Sequence, residues 1–150
     1  MSNYVSTYFS PNRGSIDVLV GFINRCNHHI DAAIYSITHP KVVDALIDAN
    51  GRGVQVRVIT DVTQASSRWS GDERLEEAAI PLLRQGKSWR GSMHNKFIIG
   101  DDTAVGTGSF NWTKNADQHN SENFVIIRLR YVVRDFQREF NEMWKRSNSD

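Results

Sequence analysis

Two short runs, residues 29–37 and 54–60, are apolar toward both sides: Ile30, Ala32 and Ile34 alternate with Ala33, Tyr35 and Ile37, and the second run is rich in β-branched residues. A strand solvated on one face would alternate apolar with polar side chains, so both runs predict strands buried within a sheet. Between them Thr38 and Pro40 mark a helix start, Val42, Val43, Leu46 and Ile47 form its apolar stripe, and Gly51 and Gly53 end it. Upstream, Ser15 reads as the N-cap of a helix over about 15–27, with Ile16, Leu19, Val20 and Ile23 on one face. The chain therefore opens as helix, strand, helix, strand, behind a polar lead-in over residues 1–14.

The second half is more broken. Residues 62–71 read as a polar loop, 72–79 as a short helix capped by Asp72, 80–83 as a brief strand, and 84–92 as a basic, flexible stretch. Residues 93–100 and 103–109 predict two strands around a turn at Gly100-Asp101-Asp102, followed by a polar loop to about residue 121 and a strand over 122–128. Val133, Phe136, Phe140, Met143 and Trp144 keep helical spacing, so a closing helix should lay an apolar stripe on the sheet.

With 150 residues, 39% apolar and 23% charged, the chain has the composition of one folded domain rather than of disordered or collagenous material. The formal charge of +1 does not announce a polyanion partner. A single cysteine, Cys26, excludes an internal disulfide and reads as a small core hydrophobe. No apolar run reaches the roughly 18 residues of a membrane span, and residues 1–14 lack a secretory pattern. The expectation is a soluble, membrane-free domain over 1–150, cytoplasmic, or periplasmic or secreted if a leader has been removed.

One constellation carries chemistry. Residues 94–111 read His94-x-Lys96, four residues, Asp101, six residues, then Gly108-Ser109-x-Asn111. Residues two apart in a strand share a face, and a turn centred on Asp101 and Asp102 pairs Gly100 with Thr103, Lys96 with Thr107 and His94 with Ser109. An imidazole, an ammonium, a hydroxyl and a carboxamide then meet at the open end of the hairpin, in a patch the size of a phosphate. Lys96 supplies charge and three donors, Ser109 and Asn111 supply neutral donors, and imidazole can attack phosphorus or carry a proton. Glu122, at the start of the neighbouring strand, is the candidate to hold the far ring nitrogen of His94.

The string H-x-K-x4-D-x6-G-S-x-N resembles the HKD signature of the phospholipase D superfamily, and the Asn120-Ser121-Glu122-Asn123 stretch resembles that of its small single-motif, Nuc-like bacterial nucleases. The superfamily's common pattern places two residues between the Gly-Ser pair and Asn; here Phe110 alone intervenes, a spacing the small nucleases share. The resemblance extends through most of the chain, including Ala33-Ile34-Tyr35-Ser36 and the phrase from Gly106 to Asn111. It implies an α/β fold, a mixed β-sheet sandwiched between helices, and a metal-independent phosphodiesterase or endonuclease with no cofactor. It also implies a homodimer whose paired motifs form one site. His94 would be nucleophile in one subunit and leaving-group acid in the other. Lys96 and Asn111 would bind phosphate, Ser109 would add a hydrogen bond, Glu122 would orient His94, and Asp101 would brace the hairpin.

Cations interleaved with aromatics suit a nucleic-acid backbone and its unpaired bases: Arg68 and Trp69 in one loop, Lys87, Trp89 and Arg90 in another, and Lys114 after the Ser/Asn strand. Packed surface loops are the alternative for those segments. DNA or RNA is the expected substrate, with a lipid phosphodiesterase of the same superfamily and a nucleic-acid-binding module with vestigial catalysis as rivals. A Ser109-His94 esterase is a further reading, whereas Gly106-x-Gly108 fails as a dinucleotide motif because Asn111 holds the third glycine position. His28, His29 and His119 lack the spacing of a metal site.

Overall fold

A computed structural model describes residues 3–87 and 91–148, with the side chains of Lys87 and Asn148 left out. In chain order the elements are β1 (Val5–Ser10), α1 (Ser15–Arg25), β2 (His29–Ile34), α2 (Pro40–Gly51), β3 (Gln55–Asp61), α3 (Val62–Ala65), α4 (Asp72–Glu77), β4 (Leu82–Lys87), β5 (Gly91–Ser92), β6 (Lys96–Gly100), β7 (Ala104–Gly108), α5 (Lys114–Gln118), β8 (Glu122–Ile127) and α6 (Arg130–Asn148). The strands form one mixed sheet in the order β1-β8-β7-β6-β2-β3-β4-β5. β2, β3 and β4 are parallel, and β6, β7, β8 and β1 continue antiparallel from β2.

Helices cover both faces because the central strands are apolar on both. One layer of the core joins Leu19 and Ile23 of α1, Leu46 of α2, and Ile30, Ile34, Val58, Ile98 and Phe124 of the sheet. The opposite layer sets Val133, Phe140 and Met143 of α6 against Ala33, Ile59, Phe97, Ile99 and Val105. Each large aliphatic or aromatic side chain so buried contributes about 1.5–3 kcal/mol of transfer free energy. The α6 layer also holds Asp31, only 2% exposed, paired twice with Arg57 at 2.7 and 2.8 Å and accepting from Gln137 at 2.7 Å. The mixed sheet between helical layers is the architecture expected from the sequence.

Several local expectations are corrected. The supposed lead-in contains β1, an edge strand paired along its length with β8. Ser15 does not cap α1: Gly14 holds that position in the left-handed region, and the buried Ser15 hydroxyl donates to the Phe9 carbonyl at 3.0 Å. Gly71, not Asp72, precedes α4; the Asp72 carboxylate accepts from the Thr60 and Ser70 hydroxyls at 2.7 and 2.8 Å. The α2 cap is His39, whose Nδ1 accepts from the Lys41 N–H at 3.2 Å and whose burial lowers its pKa. β4 runs four residues past Leu83, to Lys87, and pairs antiparallel with β5. The two polar loops each contain a short helix, α3 capped by Asp61 and α5 capped by Thr113.

The β6–β7 register also differs by one residue. Gly100 pairs with Ala104 and Phe97 with Thr107, because Asp101 and Asp102 both take positive φ and Thr103 is drawn into the turn by its N–H bond to the Gly100 carbonyl. Continued one step, this register sets Lys96 opposite Gly108 instead of Thr107.

Candidate active site

The site lies where β2 ends, β6 begins and β7 ends. The β2–β6 ladder pairs Ile34 with Lys96, and beyond it the Tyr35 N–H donates to the Asn95 carbonyl at 2.9 Å. His94 therefore stands just before β6, not within it, and its ring packs on Tyr35 with centroids 4.6 Å apart and planes tilted by 53°. The Lys96 ammonium lies 5.2 Å from the Tyr35 ring centroid, donates to the His94 carbonyl at 2.6 Å and reaches the imidazole Nδ1 at 3.0 Å. An ammonium can only donate, so the ring nitrogen accepts in that contact. Burial lowers the Lys96 pKa, against the opposing pull of the Glu122 carboxylate.

On the β7–β8 side, the Ser109 hydroxyl donates to one Glu122 oxygen and accepts from the Asn123 N–H at 3.1 Å, while Asn120 Nδ2 donates to the other Glu122 oxygen at 3.2 Å. These two strands approach closely at Gly108, where a Cβ would lie 2.2 Å from the Asn123 carbonyl oxygen and φ is +154°. Asn111 is half-buried and its Oδ1 accepts from the Ser36 N–H at 3.2 Å, which turns its amide nitrogen, a donor, outward from that bond. Parallel pairing of Ile37 with Trp112 fixes the two segments side by side. His94 and Ser109 are exposed, Lys96, Asn111 and Glu122 half-buried.

The expected contact of Glu122 with His94 is not the one made. Glu122 bonds Ser109 and Asn120, and His94 meets Lys96 and Tyr35. The one-residue change of register moves Lys96 toward Gly108, and Ser109, freed from a strand position opposite His94, turns to the neighbouring strand instead. Asp101 sits at the far end of the hairpin. Burial pushes its carboxyl up, but the N–H groups of Asn27, His28 and His29, at 2.7 to 3.0 Å, outweigh that and hold it below the usual carboxylate range.

Two supports escaped the sequence reading. Tyr35 is one, although its place at the end of a doubly buried strand was a usable signal. Asp61 is the other: only 1% exposed, it accepts from the Met93 N–H at 2.9 Å and thereby anchors the residue before His94. Burial raises its pKa, but bonds from the Thr63 hydroxyl and from the N–H groups of Met93, Gln64 and Thr63 prevail and lower it. Gly86 makes room for this anchor, since its φ is +86° and a Cβ there would lie 2.8 Å from Asp61 Oδ2.

Arg68, Trp69 and Lys114 line one cleft of about 660 Å³. Trp89 and Arg90, and the side chain of Lys87, lie outside the described residues. Among the described residues no group of three or more His, Cys, Asp or Glu side chains converges as metal ligands would.

The sequence matches the family described as "Cardiolipin synthase, PLD-like domain" over residues 19–144, most of the chain and all of the site. The chain belongs to the phospholipase D-like family. Nuc from Salmonella typhimurium, a phospholipase D family member, superposes with a TM-score of 0.86 at 30% identity, covering 94% of this chain and 93% of Nuc. NucT from Helicobacter pylori shares the fold, with a TM-score of 0.84 at 22% identity over 94% of this chain and 96% of NucT. Among sequence relatives, the mitochondrial cardiolipin hydrolase of Xenopus tropicalis is 35% identical over 121 residues, 81% of this chain and 57% of the relative. The phospholipase D of Rickettsia conorii is 36% identical over 132 residues, 88% of this chain and 65% of the relative. The chain thus spans about three fifths of the length of the curated relatives it matches. The phospholipase D-like domain contains no helix, among the described residues, that is long and apolar enough to cross a membrane.

Proposed function

We propose that this chain is a phosphodiesterase that cleaves nucleic acid, DNA or RNA, with His94 as nucleophile and without a metal. The observation that carries this reading is the Lys96 ammonium held against the His94 imidazole, at 3.0 Å, in a half-open cluster that also presents Ser109 and Asn111. Lys96 and the Asn111 amide would bind the non-bridging phosphate oxygens and stabilise the charge that grows on them in the transition state. An imidazole nitrogen of His94 would attack phosphorus as the bond to the leaving alkoxide breaks, giving a phosphohistidine. An acid would protonate that alkoxide, and water would then take the phosphoryl group from His94 to regenerate the ring. Glu122 would act through the Ser109 hydroxyl, which it holds in place.

The acid is best supplied by His94 of a second copy. On the α6 side of the sheet, Val5 and Phe9 of the edge strand are 47% and 49% exposed, and Phe9 pairs with Asn123, the residue bonded to Ser109. Two exposed apolar side chains on an edge strand that adjoins Asn123 suit contact with a two-fold partner, which would bring a second His94 to the same phosphate. Two such rings would divide the work, one attacking phosphorus and the other protonating the leaving alkoxide.

A lipid phosphodiester is the second reading, favoured by relatives named cardiolipin hydrolase and phospholipase D. Plasmid, single-stranded DNA, RNA and a phospholipid, each incubated with chelator and with wild type or His94→Ala, separate the readings. Chelator-resistant cleavage of a nucleic acid, lost in His94→Ala, is expected; cleavage of the phospholipid alone would transfer the reading to lipid. Sedimentation equilibrium should report a dimer, and a monomer with full activity would remove the second histidine.

A further inference from the structure

Trp69 is 67% exposed, and the Arg68 guanidinium lies over one side of its ring at 4.6 Å from the centroid. An indole this exposed presents a flat apolar π-face, the surface on which an unpaired base stacks. The cleft it lines contains Lys114, Asn115 and Arg74, with Glu73 as the single carboxylate of the lining. Arg74 is already paired with Asp44 at 2.6 Å, whereas among the described residues neither Arg68 nor Lys114 forms an ion pair. Two cations and a flat apolar ring thus face one space.

The cleft is tied to the phosphate cluster by backbone. The N–H groups of Thr38 and His39 donate to the Trp112 carbonyl at 3.0 and 2.9 Å, and the Gly71 N–H donates to the Ile37 carbonyl at 2.8 Å. Gly71 is pressed so closely on α2 that a Cβ there would lie 2.6 Å from Val43 Cγ2. The ladder that places Asn111 therefore also places the Trp69 loop. Lys114 follows Asn111 by three residues, at most ~10 Å of extended chain.

We propose that this cleft is a base-stacking subsite for one unpaired nucleotide beside the scissile phosphate, which makes single-stranded nucleic acid the preferred substrate. This rests on the phosphodiesterase reading above. The ring of Trp69, backed on one side by Arg68, offers its other side to a base, and Lys114 meets the intervening phosphate. Bases inside a duplex are stacked and paired and cannot reach the indole, while every base has a π-face, so the subsite selects for strandedness and not for sequence.

Binding to the His94→Ala protein tests this without requiring turnover. A short labelled single strand, the same strand with abasic residues, and the corresponding duplex are titrated by fluorescence anisotropy at about 0.15 M salt. The intact single strand should bind about 5- to 150-fold more tightly than the abasic strand, the range of one base-aromatic stack. Trp69→Ala in this background should bring that ratio near one, Trp69→Phe should retain most of it, and Lys114→Met should weaken both strands equally and reduce the salt slope by about one. Equal affinity for intact and abasic strands, tighter binding of duplex, or a ratio that survives Trp69→Ala would overturn the subsite. Turnover of bis(p-nitrophenyl) phosphate by wild type is measured in parallel. Its absence would contradict the phosphodiesterase reading, while the binding ratio alone decides the subsite.

Discussion

The two ends of the β6–β7 hairpin use polar side chains in opposite ways. At the closed end, both Asp101 oxygens are occupied by backbone N–H groups of the α1–β2 connection, a contact internal to the fold. At the open end, Lys96, His94, Ser109 and Glu122 bond chiefly to one another and remain half-exposed or exposed. A carboxylate saturated by backbone holds a connection in place; a solvent-open cluster whose ammonium and hydroxyl can donate is what the proposed binding of a phosphate requires. The difference sets apart two residues of one motif: Asp101 is tied into the fold, whereas His94 stays exposed, as the proposed nucleophile needs to be.

Mutations at the two ends should therefore separate activity from stability. The largest effect is expected for His94→Ala, a loss of about 10⁴-fold or more in turnover of a simple phosphodiester, as for removal of a nucleophile, with an unfolding midpoint close to wild type. Lys96→Met should cost about 10²–10³-fold in kcat, since it removes a donor aimed at developing charge. Burial depresses the Lys96 pKa, so its ammonium is lost as pH rises through a value below the ordinary ~10.4 of lysine, and the alkaline limb of the rate profile should fall early. Lys96→Arg should move that limb outward.

Asp101→Ala should reverse the pattern, lowering stability by about 1–3 kcal/mol because three N–H groups lose an ionised acceptor, with turnover near wild type. The folded-state pKa of Asp101 is depressed, so its contribution is present above the unfolded carboxylate value of ~3.9 and is lost as pH falls through the folded value. Urea unfolding of both proteins between neutral and acidic pH should show the two curves converging at the acid end. The smallest effect is expected at Tyr35, where Tyr35→Leu removes the ring beside Lys96 and His94 and should lower kcat/KM by about 2- to 5-fold.

Much of this arrangement was legible in the sequence, for reasons that vary along the chain. The buried strands β2 and β3 and the helices α1, α2 and α6 declare themselves because their apolar periodicity is dictated by the core they build. β1 does not: it is an edge strand whose partner, β8, lies more than a hundred residues away, and exposed Val5, Thr7 and Phe9 blur its pattern. α3 and α5 are too short for periodicity to register, and are set by single caps, Asp61 and Thr113. In the site, His94, Lys96, Ser109, Asn111 and Glu122 do gather at one end of the sheet, but their pairing depends on the turn. Positive φ at both Asp101 and Asp102 draws in Thr103, shifts the register by one and sends Glu122 to Ser109. Tyr35 and Asp61 were missed because their work is done through neighbours, His94 and Met93, that are distant in sequence.

The central claim is that the His94 imidazole becomes bonded to phosphorus during turnover. Wild type mixed with bis(p-nitrophenyl) phosphate in the presence of chelator, quenched within one turnover in alkaline denaturant and digested, should yield a phosphorylated peptide containing His94, and His94→Ala should yield neither adduct nor nitrophenol. Nitrophenol release by His94→Ala at the wild-type rate, with no adduct in either protein, would contradict the account.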